Sequence, residues 1–199
     1  MKKYFTSDWH LGEDRIGING KPNLFYRPFG SIEEQNNTII NNFINSNFKD
    51  GDELWHLGDV LYNVNDNFWL NPLRARYPNS KFNLIIGNYD EDKLDVLGNY
   101  FDNITDEALI EIGNTYVYLN HYPTKCLNKD LGFSMGHFTN NDSVIKFAIT
   151  GHIHGLWKVQ PKMINVGVDA WHFKPVSEDE ILFCWNAMQN FYDKNAFPY

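Results

Sequence analysis

Two cysteines in 199 residues, Cys126 and Cys184, are too few and too scattered for a disulfide framework or a zinc-type thiolate pair. No apolar run approaches the roughly 20 residues that span a bilayer. The opening MKKYFTSDWH has no apolar stretch of signal-peptide length before charged residues return. These absences predict a protein kept in the reducing cytoplasm, with no membrane partner. Positive charge is also short: 17 Lys and Arg stand against 25 Asp and Glu, for a formal net charge of −8. Extended nucleic acid needs a basic face to neutralise its phosphates, so it is an unlikely partner. The local basic clusters are small, such as Arg74 and Arg76. Acidity does not exclude a phosphate ligand, because bound cations reverse the sign locally. Internal repeats, Pro- or Gly-rich linkers and blocks of like charge are missing too. The expectation is one domain over residues 1–199.

Apolar residues make up 43% of the chain and aromatic ones 16%, enough for a substantial core. KKYFTSD reads as a first strand. Residues 31–48 read as a helix, with Ser31 and Glu34 as a capping box and Ile39, Ile40, Phe43, Ile44 and Phe48 on one face. ELWHLGDV is a second strand, residues 68–77 a helix limited upstream by Pro72, and KFNLIIGN a third strand before a helix over about 91–100. The style then changes. ALIEIGNTYVYLNHYP is a hairpin around Gly113-Asn114, VIKFAITGHIHG and KMINVGVDA are further strands, and Ser177 with Glu180 caps a last helix. Early alternation and later hairpins predict a mixed α/β domain with more than one sheet.

Polar residues gather where these strands end. The first exit carries Asp8 and His10, the second Gly58-Asp59, the third Gly87-Asn88, the hairpin His121, and the next strand Gly151-His152 with His154. Ligands in α/β folds collect at strand exits. In extended chain, residues two apart point the same way, so Asp8 with His10, and His152 with His154, can address one ion or neighbouring ions. Carboxylate, imidazole and amide oxygen together suit Mn, Fe or Zn. Singly, D-x-H and G-D are ordinary turns, and N-x-D ordinarily caps a helix. Five such exits in one domain point to metal.

In order, SDWH, HLGD, GNYD, NHYP and GHIH resemble the motifs of the calcineurin-like metallophosphoesterases: D-x-H, G-D, G-N-H-D/E, a lone H, and G-H-x-H. YRPFGSIEEQ and NVGVDAWHFKPVS are similar to a small bacterial and phage branch of that family. The resemblance implies two mixed β-sheets packed as a sandwich and flanked by α-helices. It implies one divalent ion on Asp8, His10 and His154, a second on Asn88, His121 and His152, and Asp59 bridging both. The ions would be Mn above all, with Fe, Zn, Ni or Co as further occupants. The implied activity is hydrolysis of a small phosphate ester, more a phosphodiester, by in-line attack of a metal-bridging hydroxide.

Tyr89 departs from the pattern, standing where the family has a histidine credited with protonating the leaving oxygen, which Asp90 would orient. A phenol donates a hydrogen bond but transfers its proton less readily than an imidazolium. Three readings follow: a weaker acid adequate for good leaving groups, another residue in that role, or a metal-bound interaction scaffold with catalysis lost. A nuclease acting on short single-stranded ends is a further alternative. Glu13 is a second departure, since the branch commonly has histidine there. Arg27 is a candidate catalytic and substrate-binding residue that would fork onto phosphate, the alternative being a surface arginine. His137, in a glycine-rich segment, is a candidate substrate-binding residue and replacement acid. His56 reads as a hydrogen-bonded strand histidine, His172 as outside the pocket, and Trp9 as packing away from the metals.

Overall fold

Residues 1–13, 27–126 and 145–191 are described by the computed structural model of the protein. His137 lies outside them. Strands β1 (Lys3–Thr6), β2 (Glu53–His56) and β3 (Lys81–Ile85) run parallel, and β4 (Asn103–Thr105) extends them in the same sense. β10 (Val176–Ser177) adds an antiparallel edge beside β1. The second sheet has the order β5-β6-β7-β9-β8, from Glu107–Ile112, Thr115–Asn120, Ile145–Thr150, Met163–Asn165 and Val159–Gln160. Its inner pairs β6–β7 and β7–β9 are parallel and its outer pairs antiparallel. Both sheets are therefore mixed, and helices flank them.

Period-2 alternation decides which face meets what. Phe5, Trp55, Leu57 and Ile85 of the first sheet and its exits pack against Val117, Leu119, Phe147, Ile149 and Ile164 of the second. Tyr4, Leu54, Phe82 and Leu84 point the other way, onto Ile39, Ile40 and Phe43 of helix α1 (Ile32–Ile44). Each side chain so buried contributes roughly 1.5–3 kcal/mol. Ser31 caps α1 by accepting from the Glu34 N–H at 3.0 Å, while the Glu34 carboxylate takes the Gly30 N–H at 2.7 Å. Helix α4 (Glu178–Phe191) begins at a reciprocal box: Ser177 N–H donates to Glu180 at 2.8 Å and Glu180 N–H to Ser177 Oγ at 3.3 Å. Trp185 of α4 stacks on Phe147, with ring centroids 4.8 Å apart.

Several element boundaries differ from the sequence reading. Residues 68–77 divide into a 3-10 turn over Val64–Leu70 and helix α2 over Asn71–Arg76, with Pro72 in the first turn, where its missing N–H costs nothing. The helix expected over 91–100 contracts to α3 (Leu94–Leu97). Turns of the Lys93 N–H→Asp90 C=O type use the preceding residues, and Gly98 caps the end. α1 stops at Ile44, and Val168–Trp171 is a 3-10 turn beyond β9. Strands β4, β8 and β10, of two or three residues each, are too short to carry an alternation.

Candidate metal centre

Strands β1, β2, β3, β6 and β7 all release their C-terminal ends at one rim, and each delivers a candidate ligand there. Asp8, His10 and His154 form one group and Asp59, His121 and His152 another, with ligand atoms inside each group lying within 4.8 Å of one another. Asn88 joins the second group: its Oδ1 is 3.2 Å from His121 Nε2 and 3.1 Å from His152 Nδ1. Asp59 lies between the groups, with Oδ2 3.4 Å from His10 Nε2 and 3.5 Å from His121 Nε2. Asp8, His10 and His121 are buried, whereas Asn88 and His152 are exposed, so the second group opens to solvent.

The backbone here is held in an unusual state. Eight described non-glycine residues have positive φ, and five are candidate ligands: Asp8 (59°), His10 (47°), Asp59 (60°), His152 (73°) and His154 (50°). Left-handed backbone at such residues costs roughly 1–3 kcal/mol each and persists only where the surroundings over-determine it. Those surroundings are identifiable. Asp8 N–H donates to Gly58 C=O and His10 N–H to Asp59 C=O, both at 3.0 Å, tying the first two exits together. The Asp8 carboxylate accepts the His152 N–H at 3.0 Å, and Asp59 Oδ1 accepts the Tyr89 N–H at 2.9 Å. Gly58 (φ 91°) and Gly87 pack backbone to backbone: a Cβ on Gly58 would lie 2.7 Å from the Gly87 Cα. Only glycine permits that approach.

The imidazoles are oriented by groups outside the ligand set. His121 Nδ1 meets the Leu57 carbonyl at 2.6 Å, and His154 Nδ1 meets Asp169 Oδ2 at 2.8 Å. Such bonds put the proton on Nδ1 and turn Nε2 toward the centre, a recurring feature of metal-binding histidines. Burial raises the Asp8 carboxyl above its ordinary range and lowers His10 well below its own. Burial also opposes ionisation of Asp59, yet the hydrogen bond and charge of His121 hold it at about 2. His121 is pulled down by burial, but Asp59 and the Asp8 charge raise it to about 9. The donor set of four imidazoles, two carboxylates and an amide oxygen fits divalent Mn, Fe or Zn.

Other candidates fall differently. Asp90 is fully buried and accepts the backbone N–H groups of Asp59, Val60 and Gly87 at 2.8, 3.0 and 2.9 Å. Its position is that of a lock between the second and third exits, where the sequence suggested an orienter of residue 89. The Tyr89 ring lies edge-on to His10, centroids 4.7 Å apart, beside the first group. Arg27 is buried and directed onto Asp169, with Nε–Oδ1 2.8 Å and Nη2–Oδ2 2.9 Å, and onto the carbonyls of Trp9 and Asp8. That is neither a surface arginine nor one whose fork is turned to a phosphate. Glu13 is buried, its Oε2 3.9 Å from His10 Nδ1. Trp9 packs on Phe43 and His56 and donates to Thr6 Oγ1 at 2.8 Å. His56 is a buried strand residue, but its ring nitrogens have no hydrogen-bond partner among the described residues, a correction to the hydrogen-bonded histidine expected. His172 is exposed, and its carbonyl accepts from Asn42 at 3.3 Å. Asp169 escaped the sequence reading because it follows a three-residue strand; the NVGVD run was its only signal.

No family model matches the chain. Among the described residues, no helix is long and apolar enough to cross a membrane. The chain is 29% identical over 187 residues to the uncharacterized protein MJ1445 of Methanocaldococcus jannaschii, covering 91% of this chain and 89% of that protein. Two more distant resemblances, nuclease MPE of Pseudomonas putida and Vacuolar Protein Sorting 29 of Cryptosporidium parvum, have 16% and 15% identity and TM-scores of 0.46 and 0.40. They cover 76% and 82% of this chain, and 60% and 72% of those chains. The protein of unknown function AQ665 from Aquifex aeolicus is 28% identical with a TM-score of 0.66, over 92% of this chain and 98% of that one, so the two share a fold over most of their length.

Proposed function

We propose that this protein is a dinuclear-metal phosphoesterase of the calcineurin-like kind, more a phosphodiesterase than a monoesterase. The observation that carries the reading is two adjoining candidate ligand groups with Asp59 between them, five of whose residues are in left-handed backbone. Asp8, His10 and His154 would hold one divalent ion, Asn88, His121 and His152 the other, and Asp59 both. Such ions supply Lewis-acid charge at phosphoryl oxygens and a water acidified toward neutral pH. Two carboxylates against two divalent cations leave a formal excess of about two positive charges, which draws an anion into an otherwise acidic protein.

The chain's own residues do the rest. Asp90 and the Gly58–Gly87 contact hold the second and third exits in register. His152 and Asn88, exposed at the rim, line the approach of substrate. Tyr89, whose ring lies against His10 of the first group, is the residue that would offer a hydroxyl hydrogen bond to the leaving oxygen. That help suffices for aryl and other good leaving groups.

The test is turnover of bis(p-nitrophenyl) phosphate and p-nitrophenyl phosphate by protein loaded with Mn²⁺. Diester hydrolysis abolished by Asp59→Asn supports the reading; no turnover with Mn²⁺, Ni²⁺, Co²⁺ or Zn²⁺ refutes it and favours a metal-bound scaffold. General acid help is worth about 10²–10⁴-fold. Tyr89→Phe is expected to lose at the low end of that range on alkyl diesters and little on aryl ones. Equal rates for Tyr and Phe on every substrate would remove Tyr89 from the chemistry.

A further inference from the structure

We propose that Arg27 and Asp169 form a clamp that assembles one half of the metal centre, the Asp8–His10–His154 half, separately from the other. The inference rests on the metal-binding reading above and names the residues that position one ion's ligands.

Three ligands of that half come from two loops, after β1 and after β7, which share no strand pairing. Arg27 and Asp169 join them. The guanidinium grips the first loop through the carbonyls of Asp8 and Trp9, the two peptide units between Asp8 and His10. Both ligands there have left-handed backbone, and the two carbonyls between them take their donors from the guanidinium. The same guanidinium forks onto Asp169 at 2.8 and 2.9 Å, and Asp169 Oδ2 takes the His154 Nδ1 proton at 2.8 Å. One chain of bonds thus runs from the backbone of the first loop to the imidazole of the second. The Arg27 and Asp169 side chains are 1% and 6% exposed.

Asp169 itself is brought there by the loop after β9. Val168 N–H donates to Ser7 C=O at 3.1 Å, and Ser7 bridges Gly167, so the β9 exit lies against the β1 exit. Asn165 adds a bond from its amide to the His154 carbonyl at 2.7 Å. The other half uses different supports, Asp90 on the backbone of Asp59 and Gly87 and the Leu57 carbonyl on His121. A buried ion pair is weak evidence for stability alone. A planar fork that holds one specific acceptor and two carbonyls is a positioning device, and lysine cannot reproduce it.

The test is Mn²⁺ binding by the full chain, read as stoichiometry and affinity by calorimetry and as spin coupling by electron paramagnetic resonance. Wild type is expected to bind two ions with a coupled signal. Asp169→Ala and Arg27→Lys are expected to weaken one ion by about 10–100-fold, the range for lost outer-shell partners, and to give the signal of a single isolated Mn²⁺. Asp102→Asn, which breaks the Arg74–Asp102 pair away from the centre, is the control and should change nothing. If Asp169→Ala does not fold, Asp169→Asn keeps the volume and one acceptor and is expected to weaken the same ion. Two ions at unchanged affinity in these variants, or equal weakening of both, overturns the clamp, as does a wild type that takes up no Mn²⁺. A protein that binds two ions, loses one on clamp mutation and hydrolyses no phosphoester leaves the clamp standing and refutes the functional reading.

Discussion

Gly87 is where the account can be tested by adding one methyl group. A Cβ built there would lie 2.6 Å from the Asp59 backbone nitrogen and 3.0 Å from the Gly58 Cα, and would overlap the Asp59 carboxylate. Both nearest atoms besides that carboxylate are backbone, so no side chain can swing aside. Bringing the 2.6 Å contact to an ordinary 3.4 Å needs a shift of about 0.8 Å, several times the tolerance of about 0.2 Å for metal–ligand distances. Asp59 is the residue between the two groups, so Gly87→Ala is expected to weaken both ions. Overpacking of this kind costs roughly 1–3 kcal/mol. With a urea slope of about 2 kcal/mol per molar, the midpoint should fall by about 1 M. Gly155→Ala is the matched control: it follows His154, its Cβ would meet Asp169 Cβ at a comfortable 3.6 Å, and it should stay within about 0.5 kcal/mol of wild type. The assays are urea unfolding in chelator and Mn²⁺ titration. Gly87→Ala with an unshifted midpoint and two ions at wild-type affinity would refute the argument that close approach of these exits builds the site.

Burial drives His56 down to about 3, so the folded chain resists a proton that the unfolded chain takes below about 6.5. Its contribution is full above pH 6.5 and is lost as pH falls toward 3, at up to about 1.4 kcal/mol per unit. In chelator, wild type should lose about 2 kcal/mol more than His56→Phe between pH 6.5 and 4.5; equal losses in unfolding experiments would contradict the assignment. Chelation should lower the melting temperature, and Mn²⁺ at about 100 times its dissociation constant should restore about 2.7 kcal/mol per site. A melting curve indifferent to both would count against any resident cation. Removal of the Ser31 cap by Ser31→Ala should cost about 1 kcal/mol without touching Mn²⁺ affinity.

Much of this was legible in the chain because strand exits are local features. Asp8, His10, Asp59, Asn88, His121, His152 and His154 were identifiable from short apolar runs ending in polar residues, and the rim that gathers them follows from parallel strands. The long amphipathic helix α1 and the Gly113-Asn114 hairpin were equally plain. What the sequence hid is non-local or very short. Strands of two or three residues have no period to detect. Asp169 and Asp90 gain their meaning from partners 142 and 30 or 31 positions away, which spacing does not report. Arg27 looked like a phosphate ligand because its fork suits one, and only the fold shows Asp169 already in that fork. His56 illustrates the reverse: it lies on a strand as expected, yet its ring has Trp9 and Phe101 as neighbours instead of a hydrogen-bond partner among the described residues.

The most direct test is anomalous diffraction from crystals of the protein soaked in Mn²⁺. Two peaks are predicted at the rim, one against Asp8, His10 and His154 and one against Asn88, His121 and His152, with Asp59 reaching both. No peak there, or a lone ion bound elsewhere on the acidic surface, would contradict the account.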